Sequence, residues 1–495
     1  MMTYADVGVA LCPPNTPIDY ESAFQTFLRA YPAYKHTAVL DDLRRREFGR
    51  LDDEGHIYLD YTGGGLHAAS QVRRHLALLN RHVFGNPHSQ NPTSLDMTQR
   101  VEQVRHTILQ YFNAPPDEYV VIFTPNASGA IKLVGEAYPF TAQGHYLLTA
   151  DNHNSVNGIR QFATARGTPV TYIPVIPPEL RLDTNRVAEY LELATPGKPN
   201  LFAFPAQSNY SGVQHPLELV AMARAKGWDV LLDGAAYVPT NRLDLSVYRP
   251  DFVSLSFYKI FGYPTGIGCL LARRAALAKL ARPWFAGGAI SFASVRAGRH
   301  VLAPDEVGFE DGTVNYLTIP AVEIGLRFIE AIGIDVIHER VSALTGWLIE
   351  KLLALYHDNG RSLVRLHGPK NLKRRGGTVT MNFYDPDGRP FDVYRIEQLA
   401  NKAKISLRTG CFCNPGASEI AHDLPASALD NFLQVKSAPS APILNDYMQR
   451  HYAKVAGATR VSVGLATNFA DVYGFITFVR GFLNKEAADL SFESI

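Results

Sequence analysis

The sequence is poor in cysteine. Only Cys12, Cys269, Cys411 and Cys413 occur in 495 residues, too few for a disulfide scaffold and in keeping with a reducing compartment. No Cys-x-x-Cys or paired histidine accompanies them, so the roughly four ligands of a structural zinc site are lacking, and no metal is expected. An excess of either charge is also missing. Lys+Arg number 48 against 47 Asp+Glu, a formal charge of +1, which argues against a polyanion binder; no nucleic-acid partner is expected. No apolar run approaches the roughly 18 residues of a membrane span. The opening MMTYADVGVALCPPNTP lacks the basic start of a signal peptide, so a cytoplasmic protein without a membrane partner is expected. Internal repeats and low-complexity tracts are absent.

What remains is an ordinary folding composition, 46% hydrophobic and 19% charged, neither disordered nor fibrous. At about 100–200 residues per domain, the length predicts more than one domain. Residues 1–55 read as a polar N-terminal arm with short helical patterns at Tyr20–Tyr31 and Val39–Arg46. From residue 56 to 290, apolar strand-like runs alternate with helical stretches. The runs are Ile57–Leu59, Tyr119–Phe123, Tyr146–Leu148, Leu201–Phe204, Val230–Leu232, Phe252–Leu255 and Gly268–Leu271, with helices such as Ala127–Ala137, Val156–Arg166 and Pro216–Lys226 between them. That alternation predicts an α/β domain built on a mostly parallel, seven-stranded sheet covered on both faces. Residues 291–495 read as a smaller α+β domain. It has a helical stretch Pro320–Tyr356 broken near Gly333, strands at Thr378–Phe383, Ser406–Leu407 and Arg460–Val463, and a closing helix Phe469–Leu483. Pro415–Ala441, with its Ser and Pro clusters, reads as a surface lobe.

Ligands of open α/β sheets bind beyond the carboxyl ends of the strands. The residues found there form a set. Tyr119–Phe123 is followed by Thr124-Pro125-Asn126-Ala127-Ser128-Gly129, small residues opening a helix whose N-terminus favours an anion. Tyr146–Leu148 leads to His153, Leu201–Phe204 to Asn209, Val230–Leu232 to Asp233, and Phe252–Leu255 to Ser256 and Lys259. Singly, each has an ordinary structural explanation: a helix cap at Asn126 or Ser128, a turn at Asn209, a salt bridge at Asp233, a surface lysine at 259. Together they supply a phosphate cradle, a stacking imidazole, an amide, a carboxylate for a protonated pyridine nitrogen and a desolvated lysine. Those are the requirements of a pyridoxal phosphate (PLP) site. The Gly262–Gly268 stretch does not have the spacing of a dinucleotide loop.

The order of these motifs resembles the class V (fold type I) PLP-dependent transferases, which include the cysteine desulfurases. It is most similar to the N-terminal desulfurase-like domain of the molybdenum cofactor sulfurases. The strings that carry the resemblance are Tyr58-Leu59-Asp60-Tyr61, Asp151-Asn152-His153-Asn154-Ser155-Val156, Ser254 through Gly262, and Pro264-Thr265-Gly266. Glu310-Asp311-Gly312-Thr313, Arg408-Thr409-Gly410-Cys411-Phe412-Cys413-Asn414-Pro415-Gly416 and Arg460-Val461-Ser462 complete it.

The resemblance implies a role for each residue. Lys259 is the Schiff-base lysine and proton shuttle, Asp233 pairs with the pyridine nitrogen, His153 stacks on the ring and Asn209 meets the ring hydroxyl. Ser128, Gly129 and Ser256 contact the phosphate. Thr313 reaches the phosphate of a partner subunit, which implies a homodimer. Arg460 holds the substrate carboxylate, and Cys413, with Cys411 as second choice, accepts sulfur as a persulfide while L-cysteine becomes alanine. Position 236 is Ala, where many desulfurases have Gln.

Cys411 and Cys413 stand two apart and face the same way if the segment is extended. Arg408 beside them can stabilise a thiolate. Two departures bear on the acceptor. The sulfurases usually carry a further cysteine shortly after the pair, where Ala417-Ser418 stand here, and often a C-terminal cofactor-handling domain, whereas this sequence ends soon after its closing helix. The sulfur acceptor is therefore unknown. Two other readings stay open: a class V lyase, epimerase or transaminase with no use for the cysteine pair, and a catalytically silent PLP-fold binding protein.

Overall fold

The computed structural model describes residues 19–435 and 439–490; Cys12 and the stretch read as a poor signal peptide lie outside the described residues. Seven strands form the central sheet: β1 Tyr119–Thr124, β2 His145–Thr149, β3 Val170–Ile173, β4 Asn200–Pro205, β5 Asp229–Asp233, β6 Phe252–Ser256 and β7 Gly268–Arg273. Their order across the sheet is β1-β7-β6-β5-β4-β2-β3. Only β7 runs against its neighbours; the pairs from β6 to β3 are parallel.

The alternation of side chains explains why these runs are apolar throughout. Val120 and Ile122 of β1, with Leu148, Leu201, Leu231 and Leu270, join one buried cluster under the helices Ala127–Ala137 and Ile159–Ala165. Val121 and Phe123, with Leu147, Phe202, Leu232 and Leu255, join the larger cluster on the other face. A sheet buried on both faces has no polar side to show, so both phases of the period-2 pattern are apolar.

One predicted strand belongs elsewhere. Ile57–Tyr58 is absent from the central sheet and pairs in parallel with Ile405–Ser406; its apolar run marks burial but not which sheet receives it. The seventh place is taken by β3, which sits at the sheet edge with three of its four residues half-buried.

A second, antiparallel sheet contains β8 Val364–Leu366, β9 Thr378–Phe383, β10 Arg408–Gly410 and β11 Ala458–Ser462, in the order β8-β9-β11-β10. The helical stretch before it is broken as expected, into Pro320–Ile332 and Ile334–Leu353, at Gly333 with φ 91°, a conformation that favours glycine. The closing helix Phe469–Arg480 starts with Asn468 and Asp471 capping each other, the reciprocal arrangement of a capping box. Its Phe469 packs on Phe27 of the helix Tyr20–Ala30 and on Trp347, which ties the N-terminal helices into the core. Much of the stretch read as an irregular lobe is helical, at Pro415–Ala421 and Ala426–Val435. Cys269 is buried in the larger cluster. Among the described residues no helix is long and apolar enough to cross a membrane.

Candidate active site

The ends of β2, β4, β5 and β6 deliver polar residues to one edge of the sheet. Lys259 lies on the short helix Phe257–Phe261, whose Phe257, Ile260 and Phe261 are buried and leave the lysine on the remaining face. The helix stops at Gly262, φ 78°, where a Cβ would come within 2.2 Å of the His67 nitrogen. The Gly63-Gly64-Gly65 run lies against the same helix, and a Cβ on Gly65 would be 3.0 Å from the Lys259 carbonyl oxygen. These glycines let a backbone segment cover the lysine from one side. Half-buried Lys259 makes no hydrogen bond or ion pair among the described residues. Burial lowers its pKa, Arg460 and Arg408 add to that, and Asp233 and Cys413 oppose it.

Asp233 ends β5 and is 8% exposed. Its Oδ1 accepts from the Ala235 N–H at 3.1 Å and from the Ser254 hydroxyl, on the next strand, at 3.0 Å. That fixes the plane of the carboxylate and leaves Oδ2 for a cation. His153 caps the helix Asn154–Asn157, its Nδ1 accepting from the Ser155 N–H at 3.1 Å. Burial lowers its pKa, with Lys259 and Arg460 adding to that against the pull of Asp233, which favours the neutral imidazole.

The helix Ala127–Ala137 opens with Asn126 as cap, accepting from the Gly129 N–H at 2.9 Å. The Ala127 N–H donates to Ser256 Oγ at 2.8 Å, and the hydroxyls of Ser128 and Ser155 meet at 2.5 Å. Three serines thus ring the positive end of this helix, and Ser155 is one that sequence reasoning left without a role. Because Asn126 already holds the Gly129 N–H, the contribution of Gly129 is its missing side chain: a Cβ would lie 3.1 Å from Pro125 Cδ.

Cys411 and Cys413 follow β10. The segment is not extended, so the two thiols do not share one face. Phe412 and Cys413 both have left-handed backbones, φ 56° and 55°, so the chain coils and separates them: Cys413 is exposed and Cys411 half-buried. Burial pushes the Cys411 thiol up. Non-glycine residues in this region cost about 1–3 kcal/mol each, and polar ties hold them there. The Cys413 carbonyl accepts from the Asn154 N–H at 2.7 Å, and the Phe412 carbonyl accepts from Asn209 Nδ2 at 2.8 Å. Asn414 donates to the Asp151 carbonyl at 2.6 Å and to Asn209 Oδ1 at 2.9 Å. Asn209 is thereby a clasp on the cysteine turn, with one Nδ2 hydrogen left over.

Arg460, on β11, is 2% exposed. It donates to the Asn209 carbonyl at 3.0 Å and to Asp60 Oδ1 at 2.9 Å, while its buried Nε has no partner. The Phe412 ring lies 4.8 Å from its guanidinium. Arg408 holds the other oxygen of Asp60, at 2.6 and 3.1 Å. Asp60 is a second residue to which the sequence assigned no role. Thr313 is not brought into this cluster. It lies with Gly312 in a separate depression lined by Pro87, His88 and Gly288, on a segment anchored where buried Glu310 takes two hydrogen bonds from Arg105, at 2.8 and 3.0 Å.

A mostly parallel sheet with lysine, carboxylate, imidazole and helix-end hydroxyls gathered at its strand ends defines a PLP-dependent enzyme of fold type I. The model of the class V aminotransferases matches residues 57–475, and the chain belongs to that family, whose cofactor is PLP. It is similar to the molybdenum cofactor sulfurases of Arabidopsis thaliana, 36% identical over 89% of this chain and 58% of that protein, and of Homo sapiens, 34% identical over 89% and 51%. It thus spans between half and three fifths of the length of these relatives. In fold it resembles a cysteine desulfurase from Thermococcus onnurineus (TM-score 0.72, 22% identity, 89% of this chain and 97% of that one). A cysteine desulfurase from Escherichia coli is also similar (TM-score 0.69, 18% identity, 92% and 99%).

Proposed function

We propose that the chain is a cysteine desulfurase that moves sulfur from L-cysteine onto Cys413 and releases alanine. The observation that carries this reading is the docked turn. An exposed thiol sits on a strained backbone, tied by Asn154, Asn209 and Asn414 to the loops that bear His153 and Asn209, the second of which also receives Arg460 at the Asn209 carbonyl. Cys413 also bears on the charge of Lys259, Arg408 and Arg460.

The residues present fit PLP. Among the described residues Asp233 keeps one oxygen free and half-buried Lys259 has no partner, and the helix end offers serine hydroxyls over a glycine. Asp233 would hold the pyridine nitrogen, Ser128 and Ser256 the phosphate, His153 the ring face and Lys259 the aldehyde carbon. When bound, the cofactor withdraws electrons from the substrate Cα. Lys259, whose pKa is lowered by burial, is suited to take the Cα proton as a neutral amine and return it. Arg460 and Arg408 orient the carboxylate. The Cys413 thiolate then attacks the substrate sulfur. An S–S bond forms, the Cβ–S bond breaks with its electron pair left on carbon, and a proton completes alanine. Cysteine plus enzyme thiol gives alanine plus enzyme persulfide, with no outside oxidant.

In this reading the chain divides into an arm (1–55), a cofactor domain (56–290) and a smaller domain (291–495), and works in the cytoplasm. It acts as a homodimer in which the depression at Thr313 meets the partner's phosphate site. The identity of the sulfur acceptor is unknown. Replacing Cys413 with Ala is expected to abolish cysteine-dependent sulfide release under reductant while the visible cofactor band persists. Sustained turnover in that variant would instead favour a class V reaction that ignores the cysteine pair.

A further inference from the structure

The pairing of Arg460 with Asp60 is chemically odd for a residue that must receive a carboxylate, because a carboxylate is already there. Asp60 does not belong to Arg460 alone. One oxygen takes the Arg460 NH2 group at 2.9 Å and the other takes Arg408 through NH2 and Nε at 2.6 and 3.1 Å. Two guanidinium charges therefore share one negative charge. Arg460 is almost wholly buried, with an orphaned Nε, so water does not make up the difference at its end of the pair, whereas Arg408 keeps half of its side chain in solvent.

The backbone fixes Asp60 in this place. The Ser462 N–H donates to the Leu59 carbonyl at 2.7 Å, and the Thr62 N–H donates to Ser462 Oγ at 2.8 Å, locking both flanks of Asp60 to the strand that carries Arg460. At Gly63 a Cβ would lie 2.4 Å from Asp60 Oδ2 and 2.5 Å from the Arg408 NH2 atom, so the absence of a side chain there is what admits the pair.

We propose that Asp60 is a positioning residue that yokes Arg460 to Arg408 and leaves the two arginines one negative charge short, a deficit that the α-carboxylate of an amino-acid substrate fills. The proposal rests on the reading that Arg460 receives the substrate carboxylate. It makes opposite predictions for the two ends of the yoke. Asp60→Asn removes the competing carboxylate, so a small anion binds more tightly but no longer in register. Arg408→Gln leaves Asp60 to neutralise Arg460 alone, so the same anion binds more weakly.

The test is calorimetric titration of the PLP-loaded enzyme with propionate, a carboxylate that cannot react. Asp60→Asn, which alters the charge beside buried Arg460, is expected to tighten propionate about tenfold, and Arg408→Gln, which removes a half-exposed charge, to weaken it about threefold. With L-cysteine, Asp60→Asn should lower kcat without raising KM, and Asp60→Glu should recover part of kcat; a merely structural residue would raise KM and lower kcat together. If propionate binding is lost in Arg460→Gln but does not differ in sign between the other two variants, the role of Asp60 is overturned and the carboxylate seat stands. If propionate binding ignores Arg460→Gln, the reading of Arg460 itself fails. Should Asp60→Asn not fold, Arg408→Gln decides alone, and unchanged or tighter binding there overturns the proposal.

Discussion

The two halves of the site are held by different physics. Asp233 and Ser256 end strands whose every residue is buried, so their positions follow from the packing of the central sheet. The cysteine turn leans on a smaller cluster, in which Phe412 packs on Tyr210. Phe412 and Cys413 occupy a disfavoured backbone region, and their backbone is held by amide hydrogen bonds from Asn154, Asn209 and Asn414. The comparison teaches that the cofactor half shares its stability with the fold, whereas the sulfur half can be altered without unfolding the protein.

The strongest test of that contrast is Leu232→Ala, in β5 just before Asp233. Leu232 is fully buried, and its truncation should cost about 2–5 kcal/mol, read as a lower urea midpoint with cofactor lost alongside the fold. Asn209→Ala comes next. Removing its two side-chain bonds to the turn should cost about 1–3 kcal/mol and reduce sulfide release markedly, with the cofactor band retained. Equal losses of cofactor in both variants would erase the distinction.

The smallest effect concerns pH. Beneath the turn, Phe412 packs on Tyr210, whose hydroxyl meets His422 at 3.2 Å, and the rings of His422 and His367 meet edge-on with centroids 4.7 Å apart. Burial pushes His367 down to about 4 and His422 down to about 3 from 6.5. Below pH 6.5 the unfolded chain takes up protons that the folded pair refuses, so stability is lost progressively as pH falls from 6.5 toward that range. His422→Leu should flatten this decline in urea titrations between pH 7 and 5; an unchanged slope would remove the histidine pair as its source.

The contrast also accounts for what could be read from sequence. The strand ends were legible because buried parallel strands are apolar on both faces, so Asp233 and Lys259 stand out after them. Val170–Ile173 was not: its residues favour strands, but it is short, half-buried at the sheet edge and lacks the continuous apolar run of the others. Ile57–Leu59 announced burial without a partner, and the partner lies in the C-terminal part of the chain. Gly410, Asn414, Pro415 and Gly416 announce a turn around the cysteine pair, but its left-handed backbones fall on Phe412 and Cys413, residues that do not prefer them. Asp60 gave no sign of its role, with Arg408 and Arg460 lying 348 and 400 positions away. Strand periodicity is local, whereas these polar ties are not.

The central claim is that sulfur passes to Cys413. It is tested most directly by mixing the PLP-loaded enzyme with one equivalent of L-cysteine without reductant, alkylating, and mapping the peptides by mass. The account predicts alanine in equal amount with one added sulfur atom on the peptide at Cys413. Alanine formed with the sulfur on Cys411, or with no protein-bound sulfur at all, would contradict it.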